Sequence, residues 1–241
     1  MEYKAYSFDL DDNLLKLPTL IYLENKDKEQ VKLSTLEFEK IRPNLKKLNL
    51  KITTESFKDF CEDSQFLIDI NKATKAGSWG NLVNCIVHHA SIFAIITARG
   101  HSPEAIKKGI KLTIEKYIPK SQLKKFSETF SMKYNLQLED KSREEILDIY
   151  LDLCKFYPVN NKNIKEKLKA EDVGELKSLA FEDFQNYITK YVKEKFGEET
   201  KVKIGFSDDS IFHLNKMVNN ILKKHGLFFY QTNDEGKNNF I

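Results

Sequence analysis

Three short polar clusters contain the side chains best suited to chemistry. The first holds Asp9 and Asp11, the second holds Thr97, and the third holds Asp208. Three carboxylates in one crevice repel one another unless a cation neutralises them or a pKa rises. Mg²⁺ prefers carboxylate and water oxygens as ligands, so the residue types predict a magnesium site.

The spacing of these residues predicts phosphoryl transfer. A carboxylate can attack phosphorus and form an aspartyl-phosphate, which divides one difficult displacement into two steps. Asp9 and Asp11 are two residues apart and would share a face along a straight strand. If the chain turns after Asp9, Asp11 can lie over the leaving group as general acid and then as base. The Thr97 hydroxyl and a lysine could stabilise the equatorial phosphoryl oxygens.

Each cluster follows an apolar segment that could position it. Residues 3–10, 92–96, 202–206 and 227–230 read as strands, and their nearly continuous apolar character is typical of a parallel sheet covered on both faces. Helical patterns separate them, so the sequence predicts an α/β fold. In such sheets the active crevice lies outside the carboxyl ends of the strands, where the clusters would converge.

Further segments divide the predicted core. Residues 19–33 read as a β-hairpin around a polar turn. Residues 100–176 look mostly helical and are too long for a simple crossover, which predicts an inserted helical subdomain. The predicted core is therefore discontinuous, with residues 1–99 as its first part and 177–241 as its second. Residues 231–241 are expected to form a loose polar tail.

The three clusters resemble motifs of the haloacid dehalogenase (HAD) superfamily. Residues 9–14 resemble its motif I, residues 97–100 its motif II and residues 208–209 its motif IV. The resemblance covers the core strands and the motif order, and much less the insertion. It implies a Rossmann-like core with a mainly parallel sheet, a hairpin flap after the first strand and the helical insertion as a cap.

The resemblance also implies roles for individual residues. Asp9 matches the nucleophile and Asp11 the general acid/base of the phosphatase members, whereas ATPase members have Thr at that second position. Thr97 matches the residue that binds the phosphoryl group. The implied Mg²⁺ ligands are Asp9, Asp11 and Asp208, with Asp209 nearby or acting through water.

Three positions remain open within this resemblance. Asn13 stands where the superfamily usually has a Gly-Thr type of pair after the second Asp, and it is predicted as a substrate contact. Arg99 could contact substrate or hold the loop through a salt bridge. The motif III lysine has no unique match. Lys177, at the start of the predicted helix 175–196, is our choice, and the other lysines considered are Lys107, Lys108, Lys190, Lys193, Lys195 and Lys203.

The composition limits the classes of partner. The 241 residues carry 39 Lys and Arg against 36 Asp and Glu, so the net charge of +3 gives no general case for nucleic acid or membrane binding. Three widely spaced cysteines and no long apolar run favour a cytoplasmic protein. His101 and His213 are expected to be ordinary solvated or helical residues.

These observations predict a Mg²⁺-dependent phosphomonoester hydrolase that acts on a phosphorylated small molecule. Two alternatives remain. Seven lysines between Lys107 and Lys125 could attract a polymer, such as a phosphoprotein or a nucleic acid 3′-phosphate. A non-catalytic HAD-like binding module could also keep the scaffold with a decayed site.

Overall fold

The computed structural model of the chain describes residues 1–221, 226–232 and 238–240. The strands are β1 (Glu2–Phe8), β2 (Leu15–Lys16), β3 (Ile21–Glu24), β4 (Gln30–Leu33), β5 (Lys51–Ile52), β6 (Thr74–Lys75), β7 (Phe93–Thr97), β8 (Lys155–Pro158), β9 (Lys201–Asp208), β10 (Leu227–Thr232) and β11 (Asn238–Phe240). The α-helices are α1 (Thr35–Ile41), α2 (Asp63–Lys72), α3 (Trp79–Val83), α4 (Pro103–Tyr117), α5 (Lys120–Tyr134), α6 (Arg143–Leu153), α7 (Lys162–Leu168), α8 (Val173–Phe196) and α9 (Ile211–Ile221). A π-helical turn at Asn84–His88 continues α3.

The central sheet has the order β11-β10-β9-β1-β7-β8. Its strands run parallel except β11, which pairs antiparallel with β10. β1 lies in the middle, where Tyr6 pairs with Phe93 of β7 on one side and with Gly205 of β9 on the other. The predicted α/β class with a mainly parallel sheet is confirmed. The strand order reverses at β1, so the crevice of this Rossmann-like sheet is expected at the carboxyl end of β1.

Burial on both faces explains why the central strands are apolar. Every residue of β7 is buried. An aromatic cluster of α5 and α6 packs above it, with the ring centroids of Phe126 and Tyr150 4.9 Å apart and those of Phe93 and Tyr150 6.0 Å apart. Each such side chain stabilises the fold by about 1.5–3 kcal/mol through its removal from water.

The segment 100–176 differs from the predicted helical insertion. It contains α4 to α7, but it also contains β8, which extends the central sheet with Ile95 of β7 opposite Phe156. Side chains of this segment, such as Ile106 and Phe130, belong to the main hydrophobic core. The prediction of a separate inserted cap is therefore corrected. The sequence Lys-Phe-Tyr-Pro of β8 is short and carries no apolar run, so nothing in it indicated a buried strand.

A smaller module forms between β2 and α2. The predicted hairpin is present as β3 and β4, with Ile21 opposite Leu33, and β5 adds a third strand beside β3. Helix α1 follows β4 through the Ser34–Glu37 capping box. A second hydrophobic cluster holds the module together and contains Ile21, Leu23, Phe38 and Phe60. From here on, the cap means residues 21–60 and not the segment 100–176, for which a cap was predicted.

The last part of the chain completes the sheet. The prediction of a loose tail is wrong for residues 231–232, which end β10, and for residues 238–240, which form β11 against β10. Residues 233–237 and 241 lie outside the described residues. None of the described helices combines the length and the apolar character needed to cross a bilayer.

Candidate active site

The turn after β1 is fixed by backbone contacts and one buried amide. The Asp9 backbone N–H donates to the Ser207 carbonyl at 2.9 Å, which ties the end of β1 to β9. Asp12 has a φ of 54°, in the left-handed region, and so reverses the chain. The fully buried Asn13 amide donates to the carbonyls of Asp9 and Ser207, both at 3.0 Å. Asn13 therefore holds the turn, which corrects its prediction as a substrate contact.

Lys177 lies at the centre of the site, between two of the predicted carboxylates. Its Nζ is 2.8 Å from Oδ1 of Asp9 and 2.7 Å from Oδ2 of Asp208. The side chains of these three residues are at most 7% exposed. Asp172 caps the start of α8, where its carboxylate accepts from the Glu175 backbone N–H, and Lys177 is in the second turn of this helix. Among the other lysines considered, Lys203 pairs with Glu2 at 2.7 Å.

The electrostatics of this group depend on burial and on the single lysine. Burial raises the pKa of Asp9 well above its usual range, and Lys177 opposes that effect. Burial also acts to raise the pKa of Asp208, but the charges and hydrogen bonds of Lys177 and His213 outweigh it and hold that pKa below its usual range. Burial acts to lower the pKa of Lys177, but the two carboxylates raise it above its usual value, so this ammonium stays charged.

A third carboxylate completes an acidic cluster. Asp9, Asp208 and Asp209 each offer one oxygen, and these oxygens lie within 4.8 Å of one another. Burial, followed by the charges of Asp208 and Asp9, raises the pKa of Asp209 to about 9. Three acids thus share one lysine. Burial and mutual repulsion favour the neutral forms of Asp9 and Asp209, and a hard divalent cation such as Mg²⁺ held by these oxygens would favour their charged forms instead.

Asp11 does not join this cluster. Arg99 donates from Nε to Oδ2 of Asp11 at 2.9 Å and from Nη2 to Oδ1 at 2.6 Å, so it binds both carboxylate oxygens. The Arg99 guanidinium is fully buried, with its Cζ 4.6 Å from the centroid of Phe60 and 5.3 Å from that of Phe66. The predictions of Asp11 as a metal ligand and of Arg99 as a substrate contact are therefore corrected. Of the two roles considered for Arg99, substrate contact and salt bridge, the structure shows the salt bridge.

A buried polar network supports this ion pair. Nη2 of Arg99 also donates to Oγ1 of Thr19 at 3.0 Å, and Thr19 donates to Asp69 at 2.5 Å. Thr97 ends β7 at the same edge of the sheet, and its buried hydroxyl accepts from the Arg99 backbone N–H at 3.4 Å. Asp11 thus has a fixed position in a wall of the crevice, with 17% of its side chain exposed.

These groups open into a cavity of about 480 Å³ between the core and the cap. The core side is charged or polar and contains Asp9, Asp11, Lys177, Asp208, Asp209 and His213. The cap side is mainly apolar and contains Ile21, Phe38, Ile52, Phe57 and Phe60. Ala98 and Gly100 are the cavity-lining residues that follow β7. The predicted site residues Asn13, Thr97 and Arg99 are fully buried and are not among the residues that line the cavity.

His213 is a site residue that sequence reasoning missed. Its Nδ1 is 3.3 Å from the Nζ of Lys177 and 3.8 Å from Oδ2 of Asp208. It occurs in the first turn of α9, five residues after Asp208, and this spacing brings it back over the end of β9. Its position at the start of the helix that follows the third polar cluster could have indicated that His213 lies near Asp208.

Fold and site together define an α/β protein with a carboxylate–lysine cluster at the carboxyl edge of a parallel sheet. Comparison of the chain with models of known protein families, with curated proteins and with solved structures finds no match.

Proposed function

We propose that the protein is a Mg²⁺-dependent phosphomonoester hydrolase of the HAD type. The observation that carries this proposal is the position of Lys177, whose ammonium joins Asp9 and Asp208 at the carboxyl edge of the sheet. Asp11 faces the same cavity from a separate, fixed position. A nucleophile, a charge-stabilising cation and a second carboxylate for proton transfer thus surround one space.

In the proposed reaction, a carboxylate oxygen of Asp9 attacks phosphorus, and the bond between phosphorus and the ester oxygen breaks. Asp11 donates a proton to the departing alcohol. Water then attacks the aspartyl-phosphate while Asp11 takes up its proton, which releases inorganic phosphate and restores Asp9. Lys177 holds Asp9 in place and offsets the negative charge that develops nearby.

The acidic cluster would hold the metal. Asp9, Asp208 and Asp209 supply the oxygens, and bound Mg²⁺ would neutralise charge on the phosphoryl group. Arg99 sets the direction of Asp11. The hydroxyl oxygen of a protonated carboxyl is a weaker acceptor than a carboxylate oxygen, so one of the two Arg99 contacts weakens when Asp11 carries its proton.

The structure favours a small substrate over a polymer. The lysines that suggested a polymer lie on α4 and α5, where Lys107 pairs with Asp152 and Lys111 pairs with Asp148 of α6. The described lining of the cavity includes none of the lysines between 107 and 125. Lys107 and Lys111 therefore join α4 to α6, and none of the seven lysines lines the described cavity.

The test is hydrolysis of p-nitrophenyl phosphate with Mg²⁺ and with EDTA. We expect turnover to require the metal and to fall more than about 10³-fold in Asp9→Asn, because that variant lacks the nucleophile. Asp27→Asn, in the exposed hairpin turn, is the matched control and should keep its activity. Unchanged turnover in Asp9→Asn would contradict the mechanism. Absence of turnover in the unaltered protein, even with metabolite phosphates, would favour the non-catalytic binding module.

A further inference from the structure

The cavity has two chemically different halves. The half formed by the core carries the carboxylates and Lys177. The opposite half is formed by aliphatic and aromatic side chains of the cap, with Cys61 and Val173 beside them. A phosphate ester placed with its phosphorus near Asp9 would therefore direct its alcohol part towards an apolar surface.

The few charged groups on the cap side already have partners. Glu39 accepts from the Ser210 hydroxyl at 2.8 Å and lies 3.6 Å from Nη1 of Arg42. The Arg42 guanidinium also lies 5.4 Å from the ring centroid of Phe212. Glu39 and Arg42 carry opposite charges, so their sum offers no excess positive charge for a second phosphate or a carboxylate on the substrate.

The apolar surface continues from the cavity to its mouth. Ile52 lines the cavity and is 50% exposed, and Phe212, beside Arg42, is 53% exposed. Exposed apolar side chains that continue a cleft can belong to a ligand-binding groove, whereas single ones elsewhere are common on protein surfaces. Ile52 thus extends the apolar half of the cavity to the protein surface.

The cap rings have the arrangement that accepts a further aromatic ring. Phe57 meets Phe38 edge to face, with centroids 5.6 Å apart, and it meets Phe60 in the same way at 5.9 Å. Phe57 is half-buried and lines the cavity, so its ring can pack against a further ring, which gains more than area burial alone. A cavity of about 480 Å³ has room for one small molecule.

We propose that the substrate is a phosphate monoester of an aromatic alcohol with no second charged group. This inference rests on the proposed hydrolase function and specifies its substrate class. The phosphoryl group lies on the carboxylate–lysine side, and the ring packs against Phe57 and its neighbours under the cap. The aromatic alcohol could belong to a free compound or to a tyrosine side chain, and the experiment distinguishes these sources.

The first measurement compares kcat/KM for 2-naphthyl phosphate and glycerol 3-phosphate with Mg²⁺. We expect a preference of about thirtyfold or more for the aryl ester, and a loss of about tenfold in that preference for Phe57→Ala. Ile52→Ser tests the same surface at a half-exposed position that does not hold the cap together. Leu48→Ala is the control, because Leu48 is an exposed apolar residue of the cap outside the cavity lining.

The second measurement is independent of turnover. Calorimetry with Mg²⁺ compares 2-naphthylmethylphosphonate with 2,3-dihydroxypropylphosphonate, neither of which can be hydrolysed at its carbon–phosphorus bond. Tighter binding of the naphthyl compound, lost in Ile52→Ser, supports the inference. Equal kcat/KM values and equal affinities overturn it while the hydrolase function stands.

Three further outcomes separate the hydrolase function from the substrate class, and the substrate class from the source of the aromatic alcohol. Absence of turnover with every ester overturns the proposed function itself, whatever the phosphonates show. A phosphotyrosine peptide is included as a third ester. Faster turnover of the peptide than of 2-naphthyl phosphate identifies the protein side chain as the source of the aromatic alcohol, and slower turnover identifies the free compound. Either of these last results supports the substrate class.

Discussion

Replacement of Lys177 by Met should destabilise the protein more than any exposed lysine could. Met has a similar length but no charge, so the variant leaves Asp9 and Asp208 buried and unpaired. Each of the two contacts, at 2.8 and 2.7 Å, is a charge-assisted hydrogen bond of about 1.5–3 kcal/mol. Removal of one partner from a buried ion pair costs about 3–5 kcal/mol.

The lower end of that range is expected here. Asp9 lines the cavity, so water can reach it and relieve part of the cost. A loss of about 3 kcal/mol in the free energy of unfolding corresponds to a fall in Tm of about 6–12 °C for a chain of this size. Mg²⁺ should raise the Tm of the variant more than that of the unaltered protein, because the acidic cluster of the variant lacks the Lys177 ammonium.

The assay is thermal and urea unfolding with and without Mg²⁺. Lys190→Met is the control, since Lys190 lies on the same helix but is 77% exposed and forms a long ion pair with Glu194 at 3.9 Å. Its effect should stay within about 0.5 kcal/mol. A change for Lys177→Met no larger than this control would refute the idea that the lysine holds the two carboxylates together.

Three other predictions concern the surroundings of the site. Arg99→Lys keeps a charge but loses the two parallel contacts and the ring stacking, so urea unfolding should show a loss of about 2–3 kcal/mol, and kcat should fall with it. Burial and the neighbouring Arg99 guanidinium lower the pKa of His101 to about 4. Between pH 6.5 and 4 the unfolded chain therefore binds a proton that the folded protein does not bind. The free energy of unfolding should fall by up to about 3 kcal/mol over this range, and by less in His101→Phe. Gly109→Ala would place a Cβ 2.6 Å from Cε1 of Phe66 and should lower the free energy of unfolding by about 1–3 kcal/mol. The added Cβ of Gly80→Ala meets nothing within 4 Å, so denaturation measurements should show a neutral or stabilising effect.

The strands of the core could be predicted where burial leaves a mark in the sequence. β7 is buried along its whole length and so has a continuous apolar run. β8 is an edge strand, and a four-residue segment with Lys and Pro fits that position without such a run. β11 is likewise short, and its sequence Asn-Asn-Phe carries no apolar run.

Which residues belong to the candidate site could be predicted better than how their side chains are arranged. Strand ends converge in a parallel sheet, so Asp9 and Asp208 were expected to meet. The direction of the Asp11 side chain depends on the positive φ of Asp12 and on the buried Arg99, and neither follows from a spacing of two residues. His101 was expected to be solvated, yet it is fully buried with its ring centroid 4.8 Å from that of Phe66.

The central place of β1 also has a consequence for how the protein folds. β1 pairs with β9 over seven residues, and the contact between Lys177 and Asp9 joins positions 168 residues apart. Closure of such long loops slows folding, because the entropy of the intervening chain is lost before the contact forms. During synthesis, β1 can pair with β7 long before β9 exists. We therefore expect one edge of β1 to stay open until most of the chain has been made, so the site is assembled among the last events of folding.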